Sequence, residues 1–212
     1  TSRGLGDVYK RQGQIVFDKG AAEKLAAKAT SFVIGPGMGD GDAYSYAKFV
    51  LENTGCNLVL DADGLKACER IGNFGGRAVL TPHIGEMSRM CGLPAADISL
   101  NPAEACVEYA RARGAVVLLK GHVSYISDGE SVYVNRTGNS RLSKGGSGDV
   151  LAGIIGGLLA WQVPALLAAR TGAYALGRSA EFSKVNAIAH LPDDIMYTLP
   201  LVFDELQGVM RL

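Results

Sequence analysis

Four short apolar runs constrain this chain more than anything else in it. They lie at residues 32–34, 57–60, 77–80 and 115–119, and each stops abruptly in a polar or glycine cluster. The clusters are Gly35-Pro36-Gly37-Met38-Gly39, Asp61-Ala62-Asp63-Gly64, Thr81-Pro82-His83 and Lys120-Gly121-His122. Segments with helical spacing separate them, at 43–53, 65–71, 84–91 and 102–113. Buried strands alternating with helices predict an α/β protein: a mostly parallel central sheet covered by helices on both faces. Ligands of such sheets bind outside the carboxyl ends of the strands, so the four clusters should share one ligand-facing edge.

The remaining segments fit the same plan. Residues 14–17 read as a short strand and 21–29 as a helix. Residues 123–126 and 131–135 read as a hairpin about Asp128-Gly129. Residues 165–182 form a long helical pattern, and 195–206 a helix broken or bent near Pro200. Residues 1–12 show neither helical nor strand periodicity and read as a non-native leader, which leaves 13–212 as one domain.

Composition narrows the function classes. Lys plus Arg and Asp plus Glu number 21 each, and this zero balance argues against a nucleic-acid surface. No apolar run is long enough for a membrane helix. Cys56, Cys68, Cys91 and Cys106 show no close pairing and read as free thiols of a cytoplasmic protein.

Residues 138–160, GNSRLSKGGSGDVLAGIIGGLLA, carry the strongest chemical signal. Glycines precede a helix on which Leu151, Ile154, Ile155, Leu158 and Leu159 recur at three- and four-residue steps. A glycine loop at a helix start aims free N–H groups and the positive end of the helix dipole at one point, which suits a phosphate. Asp149 would repel that phosphate unless it takes a proton from an attacking hydroxyl. The plainer reading is a Gly/Ser turn with Asp149 favoured by the dipole.

The strand-end motifs each carry two readings. GPGMG is either an anion-holding helix start or a tight turn. In DADG, Asp61 and Asp63 could hold Mg²⁺ through water and phosphates, or Asp63 could cap a helix. His83 in TPHIGE either lines a ligand site or caps a helix with Glu86; with no second His or Cys at ligand spacing, no zinc site is predicted. Lys120 either snorkels to the sheet edge or faces phosphate. Residues 135–139 form a turn that could contact a nucleotide, and Asp193-Asp194 reads as a helix cap.

In their order, GPGMG, DADGL, TPHIGE, LLKGH, TGN and GGSGDVLAGIIGGLLA resemble the ADP- or ATP-dependent NAD(P)H-hydrate dehydratases of the ribokinase-like superfamily. The resemblance runs from about Phe32 to the C-terminus. It implies a ribokinase-like three-layer α/β/α fold and a metabolite-repair reaction. ADP or ATP, with Mg²⁺, would phosphorylate the ring hydroxyl of an NADH or NADPH hydrate, and phosphate would then leave. By position, Asp149 would be the base, and the N–H groups of Gly146, Ser147 and Gly148 would face the transferring phosphoryl group. Lys120, Gly121, His122, Val123, Ser124 and Asn139 would contact the nucleotide. Gly37, Gly39 and His83, with Asp149, would line the hydrate site.

The resemblance also implies a homo-oligomer and, in many bacteria, a fused hydrate epimerase domain. Family domains open with a strand, a GGS-type loop and an alanine-rich helix that this sequence lacks, so the N-terminal part is expected to be missing. Residues 174–177, YALG, stand where a histidine is often found. Two other readings stay open: a ribokinase-like kinase of a heterocyclic alcohol, and a nucleotide-binding module without turnover.

Overall fold

The computed structural model describes residues 10–11, 14–39 and 41–210; the rest of the expected leader lies outside the described residues. A two-residue strand, β1 (Lys10–Arg11), pairs antiparallel with β2 (Gln14–Ile15). Helix α1 (Lys19–Ala26) follows, then β3 (Ser31–Ile34), α2 (Ala43–Asn53) and β4 (Asn57–Leu60). A 3₁₀ helix (Ala62–Glu69) leads to β5 (Ala78–Leu80), α3 (Ile84–Cys91), α4 (Ala95–Leu100), α5 (Pro102–Arg113) and β6 (Val116–Leu119). The chain then makes a hairpin of β7 (Ser124–Ser127) and β8 (Val132–Asn135). It closes with a short 3₁₀ turn (Ser140–Leu142), α6 (Ser147–Ala160), α7 (Ala165–Phe182) and α8 (Pro192–Met210).

The six-stranded sheet runs β3-β4-β5-β6-β7-β8, parallel through β6 and antiparallel across the hairpin. Successive strand residues point to opposite faces, and the two cores follow this alternation. Leu58, Leu60, Ala78, Leu80, Val117 and Leu119 join one core with residues of α2, α3, α4 and α5. Val59, Val79, Val116 and Leu118 join the other with Leu151, Ile155 and Leu159 of α6, the small residues of α7, and Ile195 of α8. The result is the expected helix–sheet–helix sandwich. Each fully buried aliphatic side chain, such as Leu118, contributes roughly 1.5–3 kcal/mol.

Local chemistry explains several boundaries. Helix α3 starts on a capping box between His83 and Glu86 and stops at Gly92 in the left-handed region (φ 70°). Helix α5 has Pro102 in its first turn and stops at Gly114 (φ 54°). At the hairpin, Asp128 accepts hydrogen bonds from the N–H groups of Glu130 and Ser131, and Gly129 takes φ 95°.

Three differences from the sequence expectations stand out. Residues 62–69 form a 3₁₀ rather than an α-helix. Helix α4, six residues between Pro94 and Asn101, was not expected; only Ile98 is buried in it, which is too little for a periodic signal. Helix α8 runs through Pro200 without a break. Asp193 and Asp194, expected ahead of the helix as its cap, lie inside its first turn, where Asp194 Oδ2 accepts from Leu191 N–H at 2.7 Å.

Candidate active site

The site forms where β4, β5 and β6 end against the first turn of α6. Leu60, Leu80 and Leu119 all face the core opposite α6. Asp61, Thr81 and Lys120, one residue further on, therefore fall on the α6 side. Backbone pairing continues past the regular strands: Lys120 N–H donates to Pro82 O at 2.7 Å, and His83 bridges Lys120 in parallel register.

These three side chains form one network. Lys120 Nζ donates to Asp61 Oδ1 at 2.7 Å, and Thr81 Oγ1 donates to the same oxygen at 2.8 Å. Asp61 is only 2% exposed and Thr81 1%, whereas the Lys120 side chain keeps 23%. Glu86 Oε2 lies 4.0 Å from Lys120 Nζ. Thr81 and Glu86 were not anticipated as site members; the only sequence signal was their place in the TPHIGE strand end.

Asp61 is fixed from behind by backbone contact. Its N–H donates to Ile34 O at 3.1 Å, and its carbonyl accepts from Gly64 N–H at 2.8 Å. A Cβ at Gly35 would lie 1.7 Å from Asp61 O, and one at Gly64 would lie 2.1 Å from Ile34 O. These two glycines therefore let the ends of β3 and β4 touch. The next residue, Ala62, sits at φ 47°, a conformation that side-chain-bearing residues rarely adopt. Asp63 pairs with Lys66 at 3.0 Å and does not cap the 3₁₀ helix, contrary to one expectation.

Helix α6 opens at Gly146 (φ 93°) with no side-chain cap. Ser147 N–H reaches Lys144 O and Val150 N–H bonds Gly146 O. The N–H groups of Gly148 and Asp149 have no backbone acceptor among the described residues, which suits an anion. A Cβ at Gly148 would lie 3.5 Å from Asp61 Oδ2 and 3.6 Å from Lys120 Nζ, so the helix start rests directly on the ion pair.

A cavity of about 540 Å³ opens beside this contact. Its lining combines Lys120, Gly148 and His83 with the apolar side chains of Leu142, Leu151, Ala173 and Leu176. Of the residues singled out in the sequence, Gly121, His122, Ser124, Asn139 and Ser147 also line it. Val123, Gly146, Gly37, Gly39 and Asp149 are not among its lining residues. Asp149 stands exposed in the first turn of α6, and Gly37 (φ 68°) and Gly39 (φ 62°) lie in the loop after β3. His83 serves both readings: its Nδ1 accepts from Glu86 N–H at 3.2 Å, and the residue lines the cavity. Asn139 caps the short 3₁₀ turn and ties it to α7 by donating to Ala180 O.

The sequence profile of the NAD(P)H-hydrate dehydratases matches residues 8–201. The chain belongs to the NAD(P)H-hydrate dehydratase family. Among its relatives, the bifunctional NAD(P)H-hydrate repair enzyme Nnr of Mycobacterium leprae is 41% identical over 172 residues, 78% of this chain and 36% of that protein. The chain thus spans well under half of that relative's length. The Bacillus subtilis ADP/ATP-dependent NAD(P)H-hydrate dehydratase, crystallised with ATP and Mg²⁺ and soaked with coenzyme A, matches with a TM-score of 0.74 at 31% identity. That match covers 86% of this chain and 70% of the other. A ribokinase-like superfamily protein from Enterococcus faecalis matches with a TM-score of 0.72 at 26% identity, covering 86% and 65%. The fold of this dehydratase-family chain is ribokinase-like, and no described helix is long and apolar enough to cross a membrane.

Proposed function

We propose that this chain restores NADH or NADPH from its hydrate at the expense of ADP or ATP. The observation that carries the reading is the cavity at the start of α6. It brings the free Gly148 N–H at the start of α6 and Lys120 together with the apolar side chains of Leu142, Leu151, Ala173 and Leu176. A nucleotide makes the same paired demand, with anionic phosphates and a flat base. Membership of the dehydratase family supports the nicotinamide hydrate as the second substrate.

In this reading the phosphates lie against the loop of Gly146, Ser147 and Gly148, where Gly148 N–H is free while Ser147 N–H reaches Lys144 O, and Lys120 adds charge to these preorganised donors. Residues 121–124 and Asn139 contact the nucleotide. The hydrate sits on the outer side of α6, towards Gly37, Gly39 and His83. Asp149 takes the proton of the ring hydroxyl as that oxygen attacks the terminal phosphoryl group. Phosphate is a far better leaving group than hydroxide; it departs with the C–O bonding pair, and loss of a proton from the neighbouring ring carbon completes the double bond of the dihydronicotinamide. Among the described residues no cluster of three or more His, Cys, Asp or Glu forms a cation cage. Magnesium would thus be carried chiefly by the nucleotide phosphates and water, as is usual for this ion. The reading also includes a homo-oligomer in the cytoplasm, served by a hydrate epimerase domain in the same or another chain.

The test is incubation with NADH hydrate, Mg²⁺ and either ADP or ATP. NADH absorbance should return in step with phosphate release. Nucleotide consumption with a stable phosphorylated product would instead identify a small-molecule kinase. Nucleotide binding without either would identify a binding module.

A further inference from the structure

We infer that Asp61 is a positioning residue: its buried carboxylate holds the Lys120 ammonium in place for the nucleotide phosphates. The inference rests on the nucleotide reading of the cavity and deepens it. Asp61 itself does not line the cavity, while Lys120 does. A ligand therefore meets the ammonium first, with the carboxylate behind it. One oxygen of Asp61 accepts from Lys120 at 2.7 Å and from Thr81 at 2.8 Å; the other faces the first turn of α6.

This arrangement has an evident cost. A carboxylate close to an anion site weakens the field that the site offers. The gain must come from order, because a free lysine holds its charge on four rotatable methylenes and loses that freedom on binding. Charge-assisted hydrogen bonds are the strong ones, and this one fixes the ammonium before any ligand arrives. Asp61 is in turn immobile: its main chain is clamped between Ile34 and Gly64, and Thr81 fixes the rotation of its carboxylate. Glu86, at 4.0 Å, is the second anion near the ammonium, but it is committed to capping His83 N–H at 2.8 Å.

The experiment is a double-mutant cycle on ADP affinity, measured by titration calorimetry on the whole chain, with thermal melting as the control for folding. Asp61→Asn should weaken ADP binding about tenfold, as expected for loss of one charge-assisted contact. Lys120→Met should weaken it at least as much. In the Lys120→Met background, Asp61→Asn should change affinity by less than about twofold, because its effect passes through the lysine. A merely structural aspartate would weaken binding in either background. If Asp61→Asn leaves affinity unchanged or tightens it, or if the two losses multiply, the positioning role is wrong while the nucleotide reading stands. If the unmodified chain binds no ADP, the nucleotide reading falls and takes the positioning role with it. Should Asp61→Asn fail to fold, Thr81→Val decides. A loss of about threefold that vanishes with Lys120→Met supports the role, and an unchanged affinity overturns it.

Discussion

At the scale of single residues, two kinds of position should respond to substitution in opposite ways. Asp149 is exposed in the first turn of α6, and its side chain has no hydrogen bond or ion pair among the described residues. Asp149→Asn is expected to keep the fold and ADP affinity but lose turnover by roughly a hundredfold to ten-thousandfold, the usual worth of a general base. Phosphate release with NADH hydrate measures it. Gly64 is the reverse case. A methyl group there would lie 2.1 Å from the Ile34 carbonyl, with only backbone to push against. Gly64→Ala should cost about 3 kcal/mol in urea denaturation and shift Asp61 as well. The glycines of GPGMG signalled a close approach in the sequence, but not of what, and Gly64 of DADG carried no such signal. For Gly35 and Gly64 the partner is the neighbouring loop rather than a ligand. Lys120, His83, Asn139 and Gly148, which line the cavity, stand in motifs that the sequence marks at strand ends, a turn and a helix start. The Asp61–Thr81–Lys120 network was not legible there, since it depends on which face three different strands present at one height.

At the scale of elements, α6 shows how one helix can be both wall and binding surface. Its apolar stripe read directly from the sequence: Leu151, Ile155 and Leu159 are buried against the sheet, with Ile154 and Leu158 partly so. Its glycines are not equivalent. A Cβ at Gly156 would meet Val33 Cγ2 of β3 at 2.5 Å, whereas Gly153 and Gly157 have nothing within 4 Å. Gly153→Ala should therefore stabilise the protein by up to about 1 kcal/mol through helix propensity. Gly156→Ala should lose that gain to the displaced Val33; thermal melting of the two variants side by side checks the contrast. Boundaries of α2, α3, α5, α7 and β4 match the sequence reading: Asp42 and His83 cap the starts of α2 and α3, prolines stand at the starts of α5 and α7, and β4 is a buried apolar run. Agreement fails at α4 and at residues 62–69, where short 3₁₀ and one-turn segments follow backbone context more than periodicity.

At the scale of the whole molecule, burial of ionisable groups sets a pH limit. Burial pushes the thiols of Cys68 and Cys106 up from 9.0 to about 12, and it raises the Tyr109 phenol in the same core. In the unfolded chain these thiols ionise near 9, while in the fold they stay protonated to about 12. The unfolded state thus binds fewer protons within that window. The stability these groups contribute is complete below pH 9 and declines as pH rises towards 12, by up to about 1.4 kcal/mol per pH unit for each thiol. Urea denaturation at half-unit steps above pH 9 should show a falling midpoint. The same two thiols should resist alkylation until the chain unfolds, unlike the half-buried Cys56.

Two cores share one sheet, and the apolar residues of β4, β5 and β6 alternate between them. Strand length in this molecule consequently has a parity. A single residue added to β6 would turn the Lys120 ammonium away from Asp61 and towards the opposite apolar layer; a second would return it to the α6 face, about 7 Å further along unless the following loop absorbs the shift. Insertions and deletions in β4, β5 and β6 should be tolerated in pairs or not at all, whereas the loops between them are free of this arithmetic.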